Sequence, residues 1–140
     1  MKKIYVIRHC ESKGQPPKAN LTENGIKQAE LLKEFFDGID VDTIITSPFR
    51  RAVQSIIPLA TNKGIEIELD DRLKERVLST ENLTDWQSKL EASYVDIDLK
   101  LPGGESSREA INRIRSIVEE IYLGENQRLF SKTLLLFYIN

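Results

Sequence analysis

The single histidine of the chain stands next to an arginine, directly after a short apolar segment. Arg8 and His9 follow residues 4–7, which are β-branched or aromatic throughout. An imidazole can attack a phosphorus atom, and a guanidinium can donate two hydrogen bonds to phosphate oxygens. The pair indicates phosphoryl chemistry, with a purely structural histidine at the end of a strand as the alternative.

The residue after His9 is a cysteine, which raises a second possibility. A His-Cys pair opens the phosphate loop of cysteine-dependent phosphatases, and that loop needs an arginine six positions after the cysteine. The sequence has Pro16 at that position and Pro17 after it, and neither supplies charge or a hydrogen-bond donor. We therefore expect Cys10 to be a packing residue.

Two arginines stand where the sequence predicts the first turn of a helix. Ser47 and Pro48 are residue types typical of an N-cap and of the first helical position, and Arg50 and Arg51 follow them. Cations in the first turn oppose the helix dipole, whereas the free N–H groups there favour an anion. The pair predicts a bound anion at this position. Considered without the rest of the sequence, it would indicate two solvated arginines.

Strand and helix signals alternate along the chain, which predicts an α/β domain with a mostly parallel sheet. The first predicted strand, an apolar run, is expected to be buried on both faces. The helix that follows Ser47 is expected to kink or end at Pro58. Ligands of such sheets bind beyond the carboxyl ends of the strands, where Arg8, His9 and Arg51 lie. The predicted strands are 4–7, 43–46, 65–69 and 132–139, and the predicted helices are 23–36, 48–58, 86–94 and 107–121.

Length and composition exclude several classes of protein. The 140 residues suit one domain, and the 20 basic and 22 acidic residues are spread evenly, so no basic region is available for a nucleic acid. One cysteine and one histidine form neither a disulfide framework nor an ordinary zinc site. The apolar runs are too short for a membrane span or a signal peptide. We therefore expect a cytoplasmic protein.

Five segments in register resemble the histidine phosphatase superfamily, which includes the cofactor-dependent phosphoglycerate mutases. The family pattern Arg-His-Gly-Glu/Gln-Ser/Thr is matched by Arg-His-Cys-Glu-Ser, and Ser-Pro-Leu-x-Arg-Ala is matched by Ser-Pro-Phe-Arg-Arg-Ala. The resemblance covers essentially the whole chain. It implies a three-layer α/β/α fold with a mostly parallel sheet, phosphoglycerate mutase-like, lacking the last strands. The matching segments are 8–12, 21–29, 47–52, 73–75 and 104–106.

The resemblance also implies a role for each candidate residue. His9 would be the nucleophile that becomes phosphohistidine, and Glu75 would protonate the leaving oxygen. Arg8 and Arg51 would hold the phosphoryl oxygens, with Ser12 as a further substrate-binding residue. The implied activity is hydrolysis of a small phosphorylated metabolite. No metal or organic cofactor is implied, because the arginines supply the positive charge.

The chain departs from the family pattern in two places. The family carries a second histidine on a Ser/Thr-His-Gly turn after a late strand. This chain has one histidine in total, and residues 138–140 stand where that turn is expected. Cys10 replaces the family's glycine, and a Cβ there would be strained if the backbone angle were unusual. We therefore expect weak or lost activity.

Three alternatives to a weak phosphatase follow from the same residues. One is a non-catalytic module that keeps the fold and the phosphate-binding pocket. Another is the truncated remnant of a longer enzyme, with no selected function. A glycolytic mutase is less favoured, because about 27 residues separate Glu75 from Gly103 and leave little room for a large lid.

A shortened chain would also expose its first strand. In the family this strand lies inside the sheet, beside a segment that comes late in the chain. If no such segment follows residue 140, residues 4–7 form a flat apolar edge, and such edges recruit partners. The sequence therefore predicts self-association through the first strand.

Overall fold

Four strands form one parallel sheet in the computed structural model, which describes residues 3–123 and the backbone of residues 133–138. The strands are β1 (Lys3–Arg8), β2 (Thr43–Thr46), β3 (Ile67–Leu69) and β4 (Thr133–Tyr138). Their spatial order is β1-β4-β2-β3, and every neighbouring pair is parallel. The predicted parallel α/β sheet is confirmed.

Within residues 3–123, four α-helices connect or flank these strands. They are α1 (Glu23–Phe35), α2 (Arg50–Lys63), α3 (Trp86–Val95) and α4 (Ser107–Leu123), and a short 3₁₀ helix covers Asp71–Leu73. In residues 3–123, no helix is both long enough and apolar enough to cross a membrane.

The helices pack on both faces of the sheet. Neighbouring residues of a strand point to opposite faces, and Ile44 and Ile45 of β2 are both fully buried. Ile44 belongs to one core with Phe36 and Leu59, at the end of α1 and within α2. Ile45 belongs to a second core with Ile117 of α4. Two cores separated by a sheet confirm the three-layer α/β/α architecture.

The start of α1 shows why the sequence has a threonine and a glycine there. The Thr22 side chain accepts a hydrogen bond from the Gly25 N–H at 2.9 Å, a cap that stabilises a helix by about 1 kcal/mol. A Cβ on Gly25 would overlap the carbonyl oxygen of Glu11. The glycine therefore lets α1 approach the segment that follows His9.

The first strand differs from the prediction that it is buried on both faces. In the described part of the sheet, β1 is an edge strand that pairs with β4 alone, and none of its residues is fully buried. Val6, for example, is 58% exposed. The prediction that β1 is buried on both faces is wrong. An apolar run shows that a strand is hydrophobic, but it does not show how many strands lie beside it.

The helix α2 begins later than its sequence predicts. Its N-cap is Phe49 and its first residue Arg50, whereas Ser47 and Pro48 were expected in these positions. The Ser47 hydroxyl accepts a hydrogen bond from the Phe49 N–H at 3.2 Å and closes a turn. The Arg50 N–H donates to the carbonyl of Pro17, so a distant loop takes over the role of the cap.

Two further boundaries differ from the sequence prediction. Pro58 lies inside α2, which continues past it, so the early end expected there is wrong. The strand β3 starts later than residue 65, because the N–H of Ile65 donates to the carbonyl of Ala60. This hydrogen bond completes the end of α2, where Gly64 takes a left-handed conformation with φ of 66°.

The second half of the chain agrees with its sequence signals. α3 begins at Trp86, and β4 lies within the predicted final strand. Residues 106–109, Ser-Ser-Arg-Glu, have the pattern of a capping box, and the Ser106 hydroxyl accepts from the Glu109 N–H at 3.1 Å as that pattern predicts. The carboxylate of Glu109 instead accepts from Lys100, so the reciprocal half of the box is replaced by an ion pair.

Candidate active site

Arg51 is the most deeply buried charged side chain of the site. Only 1% of it is exposed, and the first turn of α2 directs it towards the loop that follows β1. Its Nη1 donates to the carbonyls of Gln15 at 2.9 Å and Pro16 at 3.2 Å. Its Nη2 donates to the Glu75 carboxylate at 2.5 Å. A buried guanidinium held by three acceptors has a fixed orientation, which is what recognition of a phosphoryl group requires.

Glu75 lies on the segment after the 3₁₀ helix and faces Arg51. Its side chain is 25% exposed. Burial raises the pKa of the Glu75 carboxyl above its ordinary value, while the charge and hydrogen bond of Arg51 and the charge of Arg8 act in the opposite direction. A carboxyl with a raised pKa keeps a proton at higher pH, which a general acid needs.

The imidazole of His9 is held by the backbone of the next residue. Its Nδ1 lies 2.6 Å from the Cys10 carbonyl oxygen. A carbonyl only accepts, so Nδ1 carries the proton and Nε2 keeps a free lone pair in the neutral ring. Burial lowers the pKa of His9, and so do the charges of Arg51 and Arg8, although the Cys10 hydrogen bond raises it. The net lowering of the His9 pKa favours the neutral ring.

Four of the five predicted site residues come together at the carboxyl ends of the strands. The charges of Arg8 and Arg51 both act on His9, and both act on Glu75. Arg8 ends β1 and lines a cleft that Glu75 also lines. One imidazole and one carboxyl therefore lie in the field of two guanidinium groups.

Ser12 occupies a different position. Its hydroxyl donates to the carbonyl of Gly14 at 3.0 Å and stabilises a turn. Its backbone pairs with Leu21 in an isolated antiparallel bridge. In this conformation the Ser12 proton is used within the loop, and its part in substrate binding stays a prediction.

Cys10 fits its position without backbone strain. Within the described residues, the positive φ angles all belong to glycines, so Cys10 lies outside the left-handed region and the expected strain is absent. Its N–H donates to the Ser55 hydroxyl at 2.8 Å, and that hydroxyl donates to the Arg51 carbonyl at 2.6 Å. Burial raises the pKa of the Cys10 thiol, although the Ser55 hydrogen bond lowers it. The protonated thiol is consistent with a packing role.

Arg113 is a residue of the site that sequence reasoning missed. It lies on α4 and forms a bidentate ion pair with Glu105, both distances being 2.8 Å. Its Nη1 also donates to the carbonyls of Arg72 at 2.7 Å and Lys74 at 2.8 Å. The Lys74 carbonyl belongs to the peptide bond that leads into Glu75. Arg113 therefore fixes the backbone that carries this carboxyl.

The Gly-Gly step before α4 also has a specific role. A Cβ on Gly104 would overlap the Leu78 carbonyl, and Gly103 has a φ of 68° and lies against Thr80. The Glu105 N–H donates to the Val77 carbonyl at 2.8 Å. Both glycines allow close contact with the segment after Glu75, and only Gly104 lies in one of the five matching segments.

Within residues 3–123, no group of three or more histidine, cysteine, aspartate or glutamate side chains is arranged to hold a metal ion. Positive charge in the described site comes from arginine side chains. The chemical groups of the candidate site are therefore its arginines, its imidazole and its carboxyl.

The parallel sheet with helices on both faces defines an α/β protein of the phosphoglycerate mutase-like class. The model of the histidine phosphatase superfamily, branch 1, matches residues 4–130. The chain belongs to this superfamily.

Two related sequences are named as phosphoserine phosphatases, and a third, from Photorhabdus laumondii, is named as a probable phosphoglycerate mutase and is 31% identical over 134 residues. Phosphoserine phosphatase 1 of Hydrogenobacter thermophilus is 27% identical over 136 residues, which cover 86% of this chain and 64% of that protein. A second protein of the same bacterium is 30% identical over 145 residues, which cover 92% of this chain and 71% of that protein. The chain thus spans about two thirds of the length of these relatives.

Solved structures show the same fold. The mycobacterial glucosyl-3-phosphoglycerate phosphatase aligns with a TM-score of 0.76 and 25% identity, over 96% of this chain and 72% of that chain. An alpha-ribazole-5'-P phosphatase structure from Escherichia coli aligns with a TM-score of 0.78 over 97% of this chain and 72% of that chain. Its identity of 17% shows likeness of fold alone.

Proposed function

We propose that the protein hydrolyses a small phosphomonoester in the cytoplasm through a phosphohistidine at His9. The observation that carries this proposal is the arrangement of Glu75 on the buried Arg51, with His9 in the field of Arg51 and Arg8. Such an arrangement supplies a nucleophile, a proton donor and positive charge in one place. Phosphoryl transfer needs fixed positive charge around the equatorial oxygens more than it needs covalent help.

The first step forms a bond between Nε2 of His9 and phosphorus. The bond between phosphorus and the leaving oxygen breaks, and protonated Glu75 gives its proton to that oxygen, so that an alcohol departs. In the second step a water molecule attacks the phosphorus of the phosphohistidine, and the Glu75 carboxylate takes a proton from that water molecule. The products are inorganic phosphate, a free imidazole and a protonated Glu75, so the cycle closes without a cofactor.

The proposed turnover is weak, because the chain provides a single imidazole. The 140 residues contain one histidine, so a pocket built from this chain has no second histidine to donate to the phosphoryl oxygens. Loss of one preorganised donor costs about 10²–10³ in turnover. Phosphate binding depends on both arginines, so we expect the missing donor to lower phosphate affinity less than it lowers turnover.

Turnover of a generic aryl phosphate by the wild-type chain and by His9→Ala tests the proposal. A phosphatase that uses His9 gives phenol release in the wild type and none above background in the variant. Equal release by both proteins would show that His9 does not carry the reaction.

A non-catalytic phosphate-binding module is the second candidate. The observation that favours it is again the single histidine, together with an Arg51 side chain whose described hydrogen bonds already hold it in place. This candidate predicts that inorganic phosphate or vanadate binds with a dependence on Arg8 and Arg51, without phosphohistidine. Calorimetric titration with phosphate, paired with the aryl phosphate assay, separates the two functions.

A further inference from the structure

A large cleft opens beside the proposed phosphoryl site. Its volume is about 780 Å³, within the range of about 300–1,000 Å³ that is typical of small-molecule pockets. It lies between the segment after Glu75, α3 and the N-terminal half of α4. Arg8 and Glu75 belong to its lining, so the cleft and the site share two side chains.

The walls of this cleft, which we call the α3–α4 cleft, are largely apolar. Trp86, Leu90 and Tyr94 follow each other at intervals of four residues and therefore share one face of α3. Ile111 and Ile114 form the facing wall on α4. Trp86 is 52% exposed and Ile111 is 48% exposed, so much apolar surface is left for a ligand to cover.

The charged side chains of the walls are already engaged within the protein. Arg113 is paired with Glu105 and with backbone carbonyls. Arg76 donates to the hydroxyls of Ser107 at 2.6 Å and Ser93 at 3.0 Å, and its guanidinium lies 5.9 Å from the ring centre of Tyr94. Lys74 lies 3.2 Å from the Asp71 carboxylate. The lining residues that the cleft shares with the proposed phosphoryl site are thus Arg8 and Glu75.

We propose that the α3–α4 cleft binds an aromatic or branched hydrocarbon group of the substrate, which makes the substrate class phosphomonoesters of bulky apolar alcohols. The inference rests on the proposed function, because it places the phosphate of the same molecule at Arg8 and Arg51. Apolar surface on two helices recognises the hydrocarbon, and the arginines recognise the phosphate. A small polar phosphate ester would leave the apolar walls in water.

The binding of two matched phosphonates tests this inference without any need for turnover. Phenylpropyl phosphonate carries an apolar ring, and hydroxypropyl phosphonate has the same linker without it. Trp86 is the single tryptophan of the chain and lines the cleft, so its fluorescence reports occupancy directly. We expect phenylpropyl phosphonate to bind roughly tenfold or more tightly than hydroxypropyl phosphonate and to change Trp86 emission.

Two exposed isoleucines provide a matched pair of variants. Ile111 lines the cleft and is 48% exposed, whereas Ile57 of α2 lies outside it and is 45% exposed. Ile111→Asn is expected to remove most of the preference for the phenyl compound, and Ile57→Asn is expected to keep it. Circular dichroism of both variants checks that each is folded.

Several outcomes would overturn the inference. Equal affinity for the two phosphonates, tighter binding of the hydroxypropyl compound, or an equal effect of both isoleucine variants would each contradict it. A carboxyethyl phosphonate that binds most tightly of all, with a dependence on Arg76, would assign the cleft to a second anionic group instead. Calorimetric titration with inorganic phosphate separates the two proposals. Phosphate binding without discrimination between the phosphonates refutes only the cleft, whereas loss of phosphate binding refutes the proposed site.

Discussion

The two sides of the site are built in opposite ways. On the phosphoryl side, Arg51 is buried and each of its described hydrogen bonds ends on a fixed acceptor. On the side of the α3–α4 cleft, Trp86 and Ile111 are about half exposed. α3 contributes a single buried residue, Ser93.

This difference indicates that the two sides recognise different parts of the substrate. A phosphoryl group has the same shape in every phosphomonoester, and rigid guanidinium groups match it best. The organic group of a substrate varies, and an open apolar surface accommodates it without a fixed pattern of hydrogen bonds. The two sides are therefore expected to respond differently to substitution.

The largest effect is expected for Arg51→Lys. A lysine keeps the charge but cannot hold the carbonyls of Gln15 and Pro16 and the carboxyl of Glu75 together. We expect kcat/KM for an aryl phosphate to fall by about 10²–10³ and phosphate binding to weaken. Steady-state kinetics and calorimetry measure the two effects.

The neighbouring Arg50 provides the control for this substitution. It follows the same N-cap but is exposed to solvent. Arg50→Lys is expected to change kcat/KM by less than about twofold, because exposed charges contribute little. An equal loss in both variants would mean that the helix terminus, and not the buried guanidinium, recognises the anion.

The next largest effect is expected for Glu75→Gln. Glutamine keeps an oxygen that accepts from Arg51 but has no proton to donate. Turnover of an alkyl phosphate, whose leaving group needs a proton, is expected to fall by about 10²-fold, and turnover of a nitrophenyl phosphate by far less. Equal losses for both leaving groups would contradict a general-acid role.

The dependence of kcat/KM on pH gives a second measure of Glu75. The reaction needs neutral His9, so activity rises through a pKa that burial holds below the ordinary value of 6.5. It also needs protonated Glu75, so activity falls through a pKa that burial holds above 4.5. The falling limb is expected to disappear in Glu75→Gln and the rising limb to remain.

A smaller loss of turnover, again through Glu75, is expected for Arg113→Lys. Loss of the bonds to the Lys74 carbonyl and to Glu105 lets the Glu75 backbone shift, and a shift of about 1 Å can cost up to about 10²-fold. We expect alkyl phosphates to be affected more than nitrophenyl phosphate. Arg115→Lys, on the exposed face of the same helix, is the control and is expected to have no such effect. A uniform loss for both leaving groups would assign Arg113 a role in stability alone.

The smallest effect is expected at the β1 edge, outside both sides of the site. In the described sheet β1 has one partner strand, and Val6 is 58% exposed. The 140-residue chain is expected to self-associate weakly through this edge, and Val6→Lys to reduce the association. Val95→Lys, at a 90% exposed position on α3, serves as the control. A sedimentation profile that stays monomeric at high concentration would contradict the prediction.

The phosphoryl side could be predicted from the sequence because its residues lie in short local segments. Arg8 and His9 end a strand, and Arg51 lies in a helical first turn, so the topology of a parallel sheet alone brings them together. Thr22 and Gly25 likewise act within one turn of α1. The chemistry of these positions is visible in residue type and spacing.

The remaining features depend on contacts between distant segments. Arg113 holds carbonyls 39 and 41 residues away, and no local pattern marks such a bond. The apolar spacing of Trp86 and Tyr94 predicts a helix but does not show whether its apolar face meets a core or a cleft. The burial of β1 depends on how many strands flank it, and α2 starts late because Pro17 accepts from its N-terminus.

If His9 is the nucleophile, the phosphoryl group can be trapped on its imidazole during turnover. The protein is mixed rapidly with an aryl phosphate, denatured at alkaline pH and analysed by mass spectrometry. Because the chain contains one histidine, any phosphohistidine is assigned without ambiguity. We expect a phosphoryl group on His9 that forms at least as fast as phenol is released and is absent in His9→Ala. Phenol release with no phosphoryl group on His9 at any time would contradict it.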